Sequence, residues 1–252
     1  MLISDPLFYL TAIPAVILYG ISKGGFGGGL GILAVPIMSL VISPVQAAAV
    51  LLPILCVMDL FGVYVYRDKW DPVNLKILIP GAMAGIALGT VLFRYLTPDI
   101  IRLLVGIIAV LFTLDYLTRR IRKHREIPRP PHVIAGGIAS VIAGITSFIA
   151  HSGAPPISMY LLPQRMHRTV FVGTTVLLFT IMNYVKLVPY AWLGLLNFQN
   201  LAASVLLVPV AIISMLAGIK LHKQVSDELF YNICYVFLFI IGVKLIYDGL
   251  SV

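Results

Sequence analysis

Apolar residues fill long stretches of this chain, and polar residues gather between them. The apolar runs cover about 7–22, 30–43, 45–66, 73–93 and 98–118, then about 132–150, 153–163, 167–188, 198–220 and 229–248. A helix crossing the hydrocarbon layer of a bilayer needs about 17–25 such residues. The last three runs of each half reach that length. The first two of each half are short or interrupted and read as the two arms of a helical hairpin. The pattern predicts an all-α polytopic membrane protein with two homologous halves, residues 1–118 and 131–252, joined by a basic linker over 119–130.

The halves superpose at one shift. Moving the first by 129 residues puts Gly24 on Gly153, Pro80 on Pro209, Gly89 on Gly218, Arg94 on Lys223, Thr97 on Ser226 and Asp99 on Glu228. Interrupted segments in corresponding positions of two halves point to a transporter's binding site.

Composition sharpens the class. The chain is 60% hydrophobic and 11% charged, against about 45–50% and about 25% for a soluble domain. A soluble catalytic or binding domain does not fit. The start, Met1 to Pro6, has no basic residue, so a cleaved signal peptide is not expected. Net charge is +8, and its distribution matters more than its size. Arg119, Arg120, Arg122, Lys123, Arg125 and Arg129 cluster in the linker, which the positive-inside rule places in the cytoplasm. The cluster is short and adjoins bilayer spans, so a nucleic-acid partner is not expected. Cys56 and Cys234 lie in apolar runs and read as small core residues without disulfide or metal spacing.

Charge also orients the halves. If each interrupted pair enters and leaves on one face, Arg67, Lys69, Arg165, Arg168, Lys220 and Lys223 fall on the cytoplasmic side with the linker. Each half then crosses three times and the halves are inverted repeats. If each pair crosses fully, the halves are parallel. The two arrangements differ by few charges, mostly in the 43–44 and 163–168 connections, and the inverted one is the expectation.

The first interruption is Ser22-Lys23-Gly24-Gly25-Phe26-Gly27-Gly28-Gly29. Glycines this dense are expected to break a helix, at about 1 kcal/mol each relative to alanine. A lysine in lipid costs roughly 2.5–3.5 kcal/mol on insertion scales. Both are tolerated where backbone lines a cavity enclosed by protein. Bare N–H groups at Gly24, Gly25, Gly27, Gly28 and Gly29, together with the Lys23 ammonium, suit an anion. The competing reading is an ordinary loop lysine beside glycines that let helices pack closely.

The second interruption is Ala150-His151-Ser152-Gly153-Ala154-Pro155-Pro156. His151, Ser152 and Gly153 offer donors to an anion, with Thr146 and Ser147 nearby, and His151 titrates in the physiological range when unperturbed. A packing histidine is the plainer alternative. Pro155 and Pro156 suit the first turn of the outgoing arm. Asp59 lies deep in its run, so it is either a proton-coupling site or a structural partner, for example of Lys23. Gln46, Thr174, Thr175 and Asn183 are neutral polar groups suited to substrate or to interhelical hydrogen bonds. Arg102, Asp115, Lys186, Lys244 and Asp248 sit near run ends and are expected to reach the interface.

Gly20-Ile21-Ser22-Lys23-Gly24-Gly25-Phe26-Gly27-Gly28-Gly29 followed by Val35-Pro36 resembles the signature of the TauE/SafE family, also called the sulfite exporter or TSUP family. The resemblance covers essentially the whole chain. Val172-Gly173-Thr174-Thr175 is similar to the family's Gly-Thr-Ser segment. At the second interruption His151-Ser152-Gly153-Ala154-Pro155-Pro156 stands where the family usually has a glycine cluster, and Val45-Gln46-Ala47-Ala48-Ala49 departs from the first-half pattern. The resemblance implies a multi-pass carrier of the bacterial inner membrane for sulfite, sulfonates or related sulfur anions, with import or export left open.

The leading expectation is therefore a secondary carrier for a small sulfur oxyanion or organosulfonate. One half would rock against the other around a site at the two tips, with Asp59 or His151 exchanging a proton. An anion channel of the same inverted architecture is the alternative. An enzyme is not expected, because no convergent catalytic set is visible. No cofactor, metal or nucleotide motif occurs, the bilayer is the surrounding partner, and the oligomeric state is open.

Overall fold

The structure, a computed structural model, describes residues 5–25, 31–93, 95–121, 130–221 and 227–251. The described residues form helices and connecting turns, with no strand among them. The first half contains α1 (Pro6–Gly25), a 3₁₀ turn at Gly31–Leu33, the short α2 (Ala34–Met38), α3 (Pro44–Val65), α4 (Pro72–Phe93) and α5 (Pro98–Ile121). The second repeats this order as α6 (Val133–Ala150), α7 (Ala154–Leu161) with a 3₁₀ turn at Leu162–Gln164, α8 (Arg168–Trp192), α9 (Phe198–Leu221) and α10 (Asp227–Leu250). Seven helices among the described residues are long and apolar enough to cross a membrane: α1, α3, α4, α5, α6, α8 and α9. The protein is a polytopic helical membrane protein.

Local sequence explains the helix starts. Pro6, Pro44, Pro72 and Pro98 each open a helix of the first half, where the missing N–H is no loss. Ser43 caps α3 by accepting from the Gln46 N–H at 3.2 Å. In the second half, Pro155 and Pro156 lie in the first turn of α7, as expected.

Helices of opposite halves pack together most extensively. α1 lies on α9, α4 on α6, α5 on α10 and α3 on α8. Exchanging each helix for its counterpart returns the same set, since α1 on α9 becomes α6 on α4. The packing therefore has an internal two-fold character. Gly62 faces Val176, Asp59 meets Thr180 and Asn183, and Cys56 meets Tyr184, so α3 and α8 run antiparallel. Gly249 faces Leu103 while Gly106 faces Ile246, so α5 and α10 also run antiparallel.

The glycine run behaves differently from expectation at its start. α1 does not break at Ser22 or Lys23; it continues as one helix of 20 residues through Gly24 and Gly25. The first arm of each hairpin is thus long, and only the second arm, α2 or α7, is short. The reason is packing. A Cβ built on Gly24 would run into the Met215 carbonyl oxygen of α9, and one on Gly218 into the Ile21 carbonyl oxygen of α1. Gly85 stands against the Val141 carbonyl in the α4–α6 pair in the same way. Close backbone contact through small residues is how helices associate where lipid is as apolar as leucine. Gly27, Gly28 and Gly29 lie outside the described residues, as do Arg122, Lys123, Arg125 and Arg129 of the linker.

Gly24→Ala should lower the thermal unfolding midpoint in detergent, because overpacking costs about 1–3 kcal/mol. Gly137→Ala in α6 is the control, since a Cβ there meets nothing within 4 Å. It should leave the midpoint unchanged or raise it slightly, alanine being the better helix former. Equal effects at both positions would contradict the contact.

Candidate functional site

The ends of α1 and α6 both reach the crossing of α3 and α8. From α1, Lys23 Nζ lies 2.7 Å from Asp59 Oδ1 on α3 and donates to the Leu55 carbonyl at 3.4 Å. Lys23 is 5% exposed and Asp59 is fully buried. On the α8 side, Asn183 Nδ2 donates to Asp59 Oδ2 at 2.7 Å, and Thr180 Oγ1 donates to Oδ1 at 3.1 Å. Both carboxylate oxygens are occupied by donors and the Lys23 charge is answered by a full negative charge. A buried ion pair survives only with this kind of additional hydrogen bonding.

From α6 the arrangement is different. His151 ends the helix in a left-handed conformation with φ 50°. Its Nε2 is 2.9 Å from the Ala48 carbonyl of α3, and its Nδ1 is 2.9 Å from Lys186 Nζ of α8. A carbonyl only accepts, so Nε2 carries the proton. Nδ1 then presents its lone pair to the Lys186 ammonium, and the imidazole is neutral. Lys186 Nζ completes its three donations with Ser147 Oγ at 3.0 Å and the Ser147 carbonyl at 3.1 Å. Lys186 is fully buried and His151 is 4% exposed. Tyr190 closes the cluster, donating to the Phe148 carbonyl at 2.6 Å.

These positions correct one expectation. Lys186 does not reach the interface; it is turned inward against the last turn of α6. α8 continues through Pro189 to Trp192, so the residue is deeper than its apolar run suggested. Lys244 fits the original expectation better, pairing with Asp248 at 2.5 Å on the partly exposed face of α10.

The other expected site residues divide. Lys23, Gly24, Gly25, Asp59, His151, Ser152 and Gly153 gather at the two tips. Ser152 Oγ donates to the Ala150 carbonyl at 3.0 Å, and a Cβ on Gly153 would come 2.9 Å from the Ala143 carbonyl. Gln46, Thr174 and Thr175 are not brought to the tips. Gln46 Nε2 donates to Asn200 Oδ1 at 3.4 Å. Thr174 Oγ1 donates to the Val170 carbonyl at 2.7 Å and accepts from the Asp71 N–H at 2.8 Å, fastening the α3–α4 turn. Thr175 Oγ1 donates to the Val172 carbonyl at 2.9 Å. Thr180 and Lys186 are the participants that sequence reading missed. Their signal was the spacing Thr180, Asn183, Lys186 in an apolar helix. Each step of three turns the helix back by about 60°, which aims Thr180 and Asn183 at α3 and swings Lys186 toward α6.

The Lys23–Asp59 pair generates a direct test. Lys23→Met and Asp59→Asn should each lower the thermal midpoint, because an orphaned buried charge costs about 3–5 kcal/mol. The double variant should recover most of the loss, with the asparagine oxygen accepting from Asn183 and its amide donating to Thr180 Oγ1, whose own hydroxyl donates to the Val176 carbonyl. Additive losses in this cycle would show that the two charges do not answer each other.

Comparison with known proteins agrees with this architecture. The family described as Sulfite exporter TauE/SafE matches over residues 12–245, nearly the whole chain. No curated protein and no solved structure matches the chain.

Proposed function

Starting from the fact that this chain belongs to the TauE/SafE sulfite exporter family, a family of membrane transporters, we propose that it is a secondary carrier for a small sulfur oxyanion or sulfonate. The observation that carries the reading is the meeting of both interrupted tips at one helix crossing. Lys23 and His151 come from opposite halves, yet each contacts α3, and each is tied to α8 through Asp59 or Lys186. In this reading the Lys23 end of α1 faces His151, Ser152 and Gly153 across the substrate.

The antiparallel α3–α8 and α5–α10 pairs support inverted repeats, in which counterpart helices run opposite ways through the bilayer. Alternating access then needs moving bodies drawn from both halves, because α1 is packed on α9 and α6 on α4. This replaces the simpler picture of one half rocking against the other. Asp59 and His151 are the groups proposed to exchange protons, Asp59 when its pairing with Lys23 opens. The setting is a bacterial inner membrane with the 119–130 linker in the cytoplasm, as its basic residues favour.

The burial of Lys23, Asp59, His151 and Lys186 favours a carrier over a channel. A filter has to stay open to ions, whereas these groups are enclosed and mutually bonded.

Purified protein in proteoliposomes loaded with radiolabelled sulfite should give saturable flux. Unlabelled sulfite or a sulfonate on the opposite side should accelerate it. Flux that rises linearly with concentration and ignores the opposite side would instead identify a channel.

A further inference from the structure

Lys23, Asp59, Lys186 and His151 form the charged and titrating set at the α3–α8 crossing, and their charges do not cancel. Lys23 and Asp59 neutralise each other at 2.7 Å. His151 is neutral, because Nε2 donates to the Ala48 carbonyl and Nδ1 faces an ammonium. Lys186 is left. Its partners are Ser147 Oγ, the Ser147 carbonyl and His151 Nδ1, all of them uncharged acceptors. The Ser147 carbonyl belongs to the last turn of α6, where the helix dipole is partly negative. That is a fraction of a charge set against a whole one. Lys186 also lies within electrostatic range of Lys23, a second cation, and of Asp59. With Lys186 protonated, the set carries a net charge of one positive unit.

A buried ammonium with no carboxylate partner among the described residues is expensive. Packing would be served equally well by methionine. Two of the three hydrogen bonds would be served by a neutral donor such as glutamine. Only a ligand of opposite sign makes use of the charge itself.

We propose that Lys186 is the cation the transported anion neutralises, and that the site selects by valence, taking a monoanion such as a sulfonate or hydrogen sulfite over a dianion such as sulfate. The anion takes the place of His151 Nδ1 as an acceptor for the Lys186 ammonium, and the freed imidazole nitrogen turns toward solvent or a substrate proton. While the anion is bound, Lys23–Asp59 is a neutral pair beside it. One negative charge brings the set to neutrality, whereas two leave an uncompensated negative charge in an apolar surrounding. This assignment rests on the carrier reading above and adds to it the residue and the charge it accepts.

The experiment is thermal unfolding of the purified full-length protein in detergent. Wild type, Lys186→Met, Lys186→Gln and Lys186→Arg are each titrated with methanesulfonate and isethionate, with sulfate and thiosulfate, and with nitrate and formate at matched ionic strength. A ligand that binds only the native state raises the midpoint. The sulfonates should stabilise wild type, with half-saturation at least about tenfold lower than for sulfate, given the strength of one unit charge at close range. The Met and Gln variants should lose the shift and the Arg variant should keep it. If the Met variant does not fold, the Gln variant, which retains donors to Ser147 and His151, decides the matter.

Sulfonate stabilisation that persists in both neutral variants would overturn the role of Lys186 and leave the carrier reading standing. Equal stabilisation by sulfonates and sulfate would overturn the valence rule. Stabilisation by nitrate or formate alone, lost in the Met and Gln variants, would keep Lys186 and overturn the sulfur substrate. No shift with any anion would overturn both.

Discussion

Lys23, Asp59 and Lys186 are buried inside an apolar bundle, and the protein itself must answer each of these ionisable groups. Taking an ion out of water costs several kcal/mol even after relaxation, so the positions of the answering groups are narrowly constrained. Asp59 needs donors from the α8 side, which fixes how α8 lies against α3. Lys186 needs acceptors, and the last turn of α6 supplies them. Lys23 needs Asp59, which holds the end of α1 against α3. The electrostatics thereby specify which helix ends converge, while the apolar surface only specifies that helices are present.

Glycine supplies the complementary constraint. The charge clusters can meet only if the long helices of opposite halves approach closely, and the approach is set by Gly24, Gly218 and Gly85 against facing carbonyls. What looked like a helix breaker at Gly24 is in part a helix contact. The run therefore begins as a close-packed helix end.

Much of this was legible in the residues. Hydropathy located the long helices, because a bilayer demands length and apolar character and little else. The shared offset between halves, visible at Gly24 and Gly153 or Pro80 and Pro209, anticipated counterpart helices. Lys23, Asp59 and His151 stood out because so few polar groups lie deep in the runs. Lys186 was misplaced because hydropathy marks depth only along the helix axis; whether a side chain near a span end turns outward or inward depends on a neighbour, here Ser147 and His151 of α6. Gln46, Thr174 and Thr175 were candidates as neutral polar groups on the helices just after the two hairpins. Their hydroxyl and amide groups are engaged in fastening turns and neighbouring helices, which spacing alone does not reveal.

The pairing of α1 with α9 also bears on how the chain comes into being. α1 emerges first from the ribosome, yet the surface that receives it forms only when most of the second half has been made. α4 likewise waits for α6, and α5 for α10. Neither half completes its packing by itself, so maturation cannot proceed one half at a time, as separate domains usually do. During synthesis the Lys23 ammonium is in the membrane region before α8, with its Thr180 and Asn183 donors to Asp59, has been translated. The nascent protein must tolerate an incompletely braced ion pair, and contacts so distant in sequence form slowly.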